Sequence, residues 1–253
     1  MTSALLAQVL PDGIVTWQAL ALVVSAGVTS ALTAGLGIGG GVLLLGIMSM
    51  LVPAAALIPT HGVVQIGSNA GRTWLMRRHI DTGIVAPFTV GAMAGAFAGG
   101  SAALRLPPAI LDLSLGLFIL YATWGRWPVM HRAGIWLGGI LISGLSMLVG
   151  ATGPLVAALM KTQAMDRQRH MATFSACMTL QHALKIVVFG LFGFQFGGWL
   201  PLLLAMVASG FIGTWAGGRW LAGRADAGFH RLLGWLLTLM ALQLLWQAAT
   251  QLR

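Results

Sequence analysis

Apolar residues run in long blocks along this chain, and polar residues gather in the short gaps between them. Stretches near 16–36, 42–52, 60–76, 82–104, 108–125, 133–150, 154–161, 170–193, 199–221 and 229–250 carry few charges. A helix needs about 20 apolar residues to cross the hydrocarbon core of a bilayer, so most of these stretches predict transmembrane helices. Two of them, 42–52 and 154–161, are too short to cross. Each follows a longer stretch across a glycine-rich break, Gly37 to Gly41 in one case and Gly150 to Pro154 in the other. Irregular backbone at membrane depth is tolerated only where protein or a water-filled cavity surrounds it. The pattern predicts an all-α polytopic membrane protein of about eight helical segments, with gaps too short for a soluble domain.

The basic residues then choose between two topologies. If every long stretch crosses and the breaks are incidental, Arg72, Arg77, Arg78, Arg126 and Arg132 lie on one side, and Arg105, Lys161, Arg167, Arg169, Arg219, Arg224 and Arg231 on the other. That distribution has no bias. If 16–52 and 133–161 are hairpins that return to their starting side, all of these except Arg105 fall together. The tendency of Lys and Arg to stay cytoplasmic selects the hairpins, with both termini outside the cytoplasm. Each half, 1–125 and 126–253, becomes one hairpin plus three crossings, and an odd number of crossings inverts the second half relative to the first. An offset of 113 pairs Gly37 with Gly150, Gly40 with Gly153, Thr60 with Thr173, Asn69 with His182 and Arg72 with Lys185. Inverted repeats with broken helices are a transporter architecture.

Composition strengthens this picture. Of 253 residues 58% are hydrophobic and 8% charged, against about 25% charged in an ordinary soluble domain. Mean hydropathy is +0.88. Too few charges remain to solvate a soluble enzyme or a disordered chain. The net charge of +9 is spread over the edges of apolar runs rather than pooled, which argues against a nucleic-acid partner and for the lipid bilayer. The 35 glycines are roughly twice the usual share of about 7%, and glycine lets membrane helices approach closely. Gly91, Gly95 and Gly99 recur every fourth residue as such a seam. Cys177 is the single cysteine, so no intrachain disulfide forms. Residues 1–13 lack a basic segment and a cleavage site, so no removed signal peptide is expected.

Few polar residues are left to carry chemistry. The half-helices after the breaks begin near Gly39, Gly40 and Gly41, and near Thr152, Gly153 and Pro154. Helix N-termini present free N–H groups and a partial positive charge, a ready-made setting for an anion. The same glycines also suit tight packing alone. One later span carries Thr60, His61, Gln65, Asn69 and Arg72 at helical spacing, and its repeat partner carries Thr173, Cys177, Gln181, His182 and Lys185. Hydroxyl, amide and cationic donors on one face suit an oxyanion; interhelical hydrogen bonding is the alternative. Arg72 and Lys185 are deep enough to be costly without a partner. Arg72 has a route to the interface near Arg77 and Arg78, so Lys185 is the stronger functional candidate. Small-residue packing is the ordinary role of a lone cysteine such as Cys177. His61 and His182 are candidates for proton coupling. Asp112 lies in the first turns after Pro107 and Pro108 near Arg105, a structural position.

The tip Gly35-Leu-Gly-Ile-Gly-Gly-Gly41, the Pro-Thr-His-Gly at 59–62, the second tip ending Gly153-Pro154, and Thr173 together resemble the TauE/SafE sulfite-exporter family. The likeness covers nearly the whole chain. The second tip reads Gly-Ala-Thr-Gly-Pro where the family often repeats the glycine triplet, which leaves open whether both tips contact substrate. The resemblance implies a multi-pass protein of a bacterial inner membrane that moves small sulfur oxyanions or organosulfonates, such as sulfite or sulfoacetate.

The leading expectation is therefore a secondary transporter working by alternating access, with no catalytic residue, no metal and no cofactor. The alternatives are an intramembrane enzyme and a non-transporting partner subunit. The sequence has no H-E-x-x-H metal motif, no G-x-S-x-G nucleophile elbow and no close pair of acids. Proton coupling and a homodimer are open expectations.

Overall fold

The computed structural model describes residues 10–36, 39–125, 134–161, 163, 165–220 and 227–252. These residues form ten α-helices and two short 3₁₀ turns: α1 (Thr16–Leu36), α2 (Gly40–Leu51), α3 (Ala54–Leu75), α4 (Thr82–Ala103), α5 (Pro108–Trp124), α6 (Ile135–Val149), α7 (Gly153–Lys161), α8 (Arg167–Leu191), α9 (Leu200–Trp220) and α10 (Ala227–Gln251). No strand occurs among them. Four helical stretches are long and apolar enough to cross a membrane, at Thr16–Gly35, Thr82–Ala103, Arg167–Leu191 and Gly197–Arg219. Their outer faces carry exposed Val24, Val28, Val90, Phe97, Leu204 and Phe211, apolar side chains that suit lipid contact. Each apolar stretch of the sequence carries one helix with shifted ends, ten helices among the described residues where about eight segments were expected. The main departure is α3, which starts at Ala54 and runs straight through Pro59.

Both glycine breaks interrupt helix. Gly39 has φ 108° and Gly150 has φ 79°, a left-handed backbone that side-chain-bearing residues avoid. Beyond them α2 has 12 residues and α7 has 9, about 18 and 14 Å at about 1.5 Å per residue. Neither reaches across about 30 Å of hydrocarbon. The chain before α1 meets the end of α2, since a Cβ on Gly13 would lie 3.8 Å from Pro53 Cγ. At the other end, a Cβ on Gly40 would fall on the Thr29 carbonyl. Helices α1 and α2 therefore run antiparallel as a closed hairpin.

Two seams tie the halves of the chain together. In one, α4 lies along α6; in the other, α1 lies along α9. Shifting α4 by 113 residues lands on α9, and shifting α1 lands on α6, so the two seams correspond. Each is made by glycine. A Cβ on Gly91, Gly95 or Gly99 would strike the carbonyl oxygen of Trp136, Ile140 or Gly144. A Cβ on Gly213 or Gly217 would strike that of Gly27 or Ala31. Backbones this close gain dispersion along the whole contact, which is what binds helices when lipid removes the hydrophobic drive. Between the seams, α3 packs on α8 at the centre. Thr73 and Thr179 meet there with hydroxyl oxygens 2.9 Å apart.

One end of the α3–α8 pair is locked by polar contacts. Asp81 caps α4 by accepting from the Gly83 N–H, 3.0 Å. It also takes a hydrogen bond from Arg169 at 2.8 Å. Asp166 caps α8, and the Arg169 backbone N–H holds its carboxyl below the ordinary carboxylate range. Asp112 accepts from Gln251 of α10 at 3.2 Å. The partner is an amide at the end of α10 and not the expected neighbour Arg105.

The seam predicts a sharp contrast between glycines. Gly95→Val puts a branched side chain into the Ile140 backbone, and overpacking of this kind costs about 1–3 kcal/mol or more. Its melting temperature in detergent should fall by roughly 5 °C, at about 2–4 °C per kcal/mol for a chain of this size. Gly134→Ala, with no atom of the described residues within 4 Å of the new Cβ, should melt with the wild type.

Candidate functional site

The two breaks and the two polar stripes meet. A cavity of about 40 Å³ is lined by Gly39, Gly41 and Val42 at the first tip, and by Ala151, Gly153 and Pro154 at the second. Helix α1 contributes Thr33, α3 contributes His61, Gln65, Asn69 and Arg72, and α8 contributes Phe174, Met178 and His182. At about 10–15 Å³ per enclosed water, the cavity has room for roughly three waters or one compact ion.

The tips present main chain to this space. The first amide groups of α2 have no partner within their own helix, and Gly39 caps it with no side-chain hydrogen bond. A Cβ at Gly41 would strike Gln65 Nε2, so a side chain there would displace the end of Gln65 from the tip. Pro154 at the start of α7 has no N–H to leave unpaired.

Arg72 supplies the charge. Its residue exposure is 9%. Nη2 donates to Asn69 Oδ1 at 3.0 Å, while Nε and Nη1 have no hydrogen-bond partner among the described residues. Asn69 is fixed in turn, donating through Nδ2 to the Gln65 carbonyl at 2.8 Å. The described residues that line the cavity include no Asp or Glu. A guanidinium placed at membrane depth costs about 2.5–3.5 kcal/mol on insertion scales. Nε and Nη1 are left to donate to an anion, and such charge-assisted hydrogen bonds are stronger than neutral ones.

The histidines sit opposite each other. Their rings are edge to face with centroids 5.9 Å apart. His61 Nε2 is 3.0 Å from the Gly41 carbonyl oxygen and 3.2 Å from Gln65 Nε2. A neutral imidazole serves one of these at a time: protonated at Nε2 it donates to Gly41, and unprotonated there it accepts from Gln65. His61 Nδ1 and both ring nitrogens of His182 have no partner among the described residues.

The remaining sequence-identified residues take other positions. Lys185, fully buried, donates through Nζ to the carbonyl of Gly150, the cap of α6. There it satisfies a main-chain oxygen released by the break, at the end of a helix that favours positive charge. Its stem lies against Gly62. Of the two deep cations, Arg72 lines the cavity and Lys185 braces the second tip. Gln181 bridges two elements, accepting from Thr152 at 3.2 Å and donating to Ser143 at 3.3 Å. Thr173 accepts from the backbone N–H of Asp81 at 3.0 Å, which fixes the turn into α4. Thr60 returns its hydroxyl to the Ala56 carbonyl, 2.6 Å. Cys177 is packed in an apolar cluster with Phe88 and Val156, and Gly40 is pressed on α1.

The 113-residue offset relates two lining residues that polarity alone passed over to polar residues of α3. Phe174 and Met178 occupy the positions of His61 and Gln65. The cavity is thus bounded by corresponding positions of both halves, polar from the first and mostly apolar from the second.

Two larger grooves flank it. One, about 390 Å³, is bounded by Ser68, Gly71 and Arg72 of α3 with Met171, Phe211 and Trp215. The other, about 330 Å³, is bounded by Ile58 and Pro59 at the opposite end of α3 with Ala103, Phe189, Phe192 and Phe194. Met171 and Ile58 correspond under the offset, as do Phe189 and Met76. The first groove shares Arg72 with the cavity; the second shares no described residue with it.

The profile of the sulfite exporter TauE/SafE family matches residues 5–244. Neither the curated proteins nor the solved structures give a match.

The different settings of the two cations give opposite expectations. Lys185→Met leaves the buried Gly150 oxygen unpaired, at about 1–3 kcal/mol, and should lower the melting temperature. It should spare any stabilisation by added sulfite, which Arg72→Gln should abolish. Thermal unfolding in detergent with and without sulfite separates them.

Proposed function

The chain belongs to the sulfite exporter TauE/SafE family, and on that premise we propose that it is a secondary transporter. In this reading a compact sulfur oxyanion, sulfite or the headgroup of a small organosulfonate such as sulfoacetate, binds in the cavity between the two tips. The observation that carries the reading is Arg72: a buried guanidinium with two unpartnered nitrogens, lining the same cavity as both glycine tips, with no carboxylate among the described lining residues. An anion is the ligand that completes it. The size of the cavity, about 40 Å³, favours one headgroup held alone over a bulky aromatic sulfonate.

The architecture supports inverted repeats, 1–125 and 126–253, each a hairpin followed by three crossings of a bacterial inner membrane. The corresponding seams, the central α3–α8 pair and the short α2 and α7 all agree with this arrangement. In the proposed cycle each half moves as a body around the anion. The groove that reaches Arg72 lies at the end of α3 next to Arg77 and Arg78, and cationic ends face the cytoplasm. The opposite groove stops at Phe189 and Phe192, so this conformation is read as open inward. Both termini are then outside the cytoplasm.

Two measurements test this. Purified protein in proteoliposomes should carry labelled sulfite above empty vesicles, and Arg72→Gln should lower that flux about tenfold or more, since a hydrogen bond to a charged group contributes about 1.5–3 kcal/mol. Flux equal to empty vesicles across a series of sulfur anions would sink the reading. In a Cys177→Ala background, Ser68→Cys should react with an impermeant thiol reagent from the cytoplasmic side, and Ile58→Cys should not. Labelling of Ile58→Cys alone from that side would reverse the assigned orientation.

A further inference from the structure

The cavity contains more than an anion needs. His182 lines it, is 1% exposed, and has no hydrogen-bond partner among the described residues on either ring nitrogen. Its neighbour across the α3–α8 crossing is His61, edge to face at 5.9 Å, with Nδ1 also unpartnered. A buried polar group normally finds a partner. Three open imidazole nitrogens beside one small cavity mark a place built to receive one.

The groups around His182 narrow what that partner is. From its own helix the ionisable neighbours are Lys185 and Cys177; from α3 they are His61 and Arg72. Helices α2, α4 and α6 contain no ionisable residue, and residues 153–160 of α7 contain none either. Lys185 is engaged with the Gly150 carbonyl. None of these elements brings a carboxylate to hold a permanently charged imidazolium. An anion seated on Arg72 changes that: its remaining oxygen accepts a hydrogen bond from a ring N–H, and its charge and a proton on the imidazole favour each other. Coupling of this kind is reciprocal, so the proton tightens the anion as much as the anion tightens the proton. His61 is suited to pass the proton on, because its Nε2 lies between an acceptor, the Gly41 oxygen, and a donor, Gln65. It serves either tautomer without moving the backbone.

We infer that His182, with His61 beside it, binds one proton together with each anion, so that the protein moves the two in the same direction. The proton is taken from water on the side where the anion enters and is released with it on the other. No charge crosses the membrane for a monoanion. This inference rests on the transport reading above and adds the coupling ion and the residue that carries it.

The test uses the full chain in proteoliposomes with an entrapped pH dye, weak buffer and potassium with valinomycin to set the membrane potential. The probe is labelled methanesulfonate, a strong acid's anion that cannot itself carry a proton near neutral pH. Inward movement of the anion is expected to acidify the lumen with about one proton per anion, and the flux should be indifferent to an imposed potential. In His182→Gln the ratio of protons to anion should fall, at whatever flux the variant retains. Wild-type flux that leaves the lumen pH unchanged, or that follows the imposed potential, overturns the proton coupling alone. An unchanged ratio in His182→Gln overturns the assignment to that residue. Wild-type protein that moves no sulfite and no methanesulfonate overturns the transport reading and this inference with it.

Discussion

Interrupting a helix deep inside an apolar body releases main-chain groups that have no water to turn to, and the rest of this structure answers that constraint. At the second break the released carbonyl is that of Gly150, and a fully buried lysine reaches across from α8 to satisfy it. At the first, His61 Nε2 lies 3.0 Å from the Gly41 carbonyl oxygen in the opening turn of α2. The residues that open α2 and α7 line a small cavity. A pair of half-helices too short to cross, each starting at that cavity, concentrates partial positive charge where a full helix would bury it. Arg72 adds a whole charge to the same place and keeps two of its nitrogens open.

At the 113-residue offset the two halves of the chain match in the order and pairing of their helices and differ in their side chains. The tips, the glycine seams, the α3–α8 crossing and the two flanking grooves all repeat at the same offset. The residues on the cavity do not: His61, Gln65 and Arg72 of the first half face Phe174, Met178 and an arrangement that withdraws Lys185 from the lining. A scaffold near symmetry can have two conformations of similar energy, because packing that opens in one half is matched by packing that closes in the other. An asymmetric lining lets one set of donors hold the ligand in both. The proposed proton site fits this division, with His182 as the ionisable lining residue that the second half supplies from α8.

The seams also bear on motion. Helices in glycine contact at the level of carbonyl oxygens meet on smooth surfaces, and such surfaces slide as units more readily than interlocked large side chains. In the proposed cycle the two halves move against each other along the α1–α9 and α4–α6 seams, each of which joins an element of one half to an element of the other. In that proposal the α3–α8 crossing, with a capped, ion-paired turn at one end, serves as the axis about which they turn.

Hydrophobic periodicity and length determined the helices, the two short segments and the breaks before them, because the cost of burying main chain in lipid is paid locally and leaves its mark on consecutive residues. The glycine spacing of 91, 95 and 99 announced a contact face for the same reason, though not its partner. The family likeness was legible too, carried by the first tip and the residues at 59–62. Tertiary structure decided what sequence spacing could not. Whether a cation at membrane depth faces a cavity or a carbonyl depends on which main-chain oxygen lies within reach, and that oxygen is 35 residues away for Lys185. Arg72 has the shorter route to the interface and yet points inward, since Asn69 on the same helix face holds its guanidinium there. The lining contributed by Phe174 and Met178 carries no polar signature and becomes visible only once α8 is laid across α3. Local chemistry fixed the elements; the crossing of two helices fixed which of their side chains share a space.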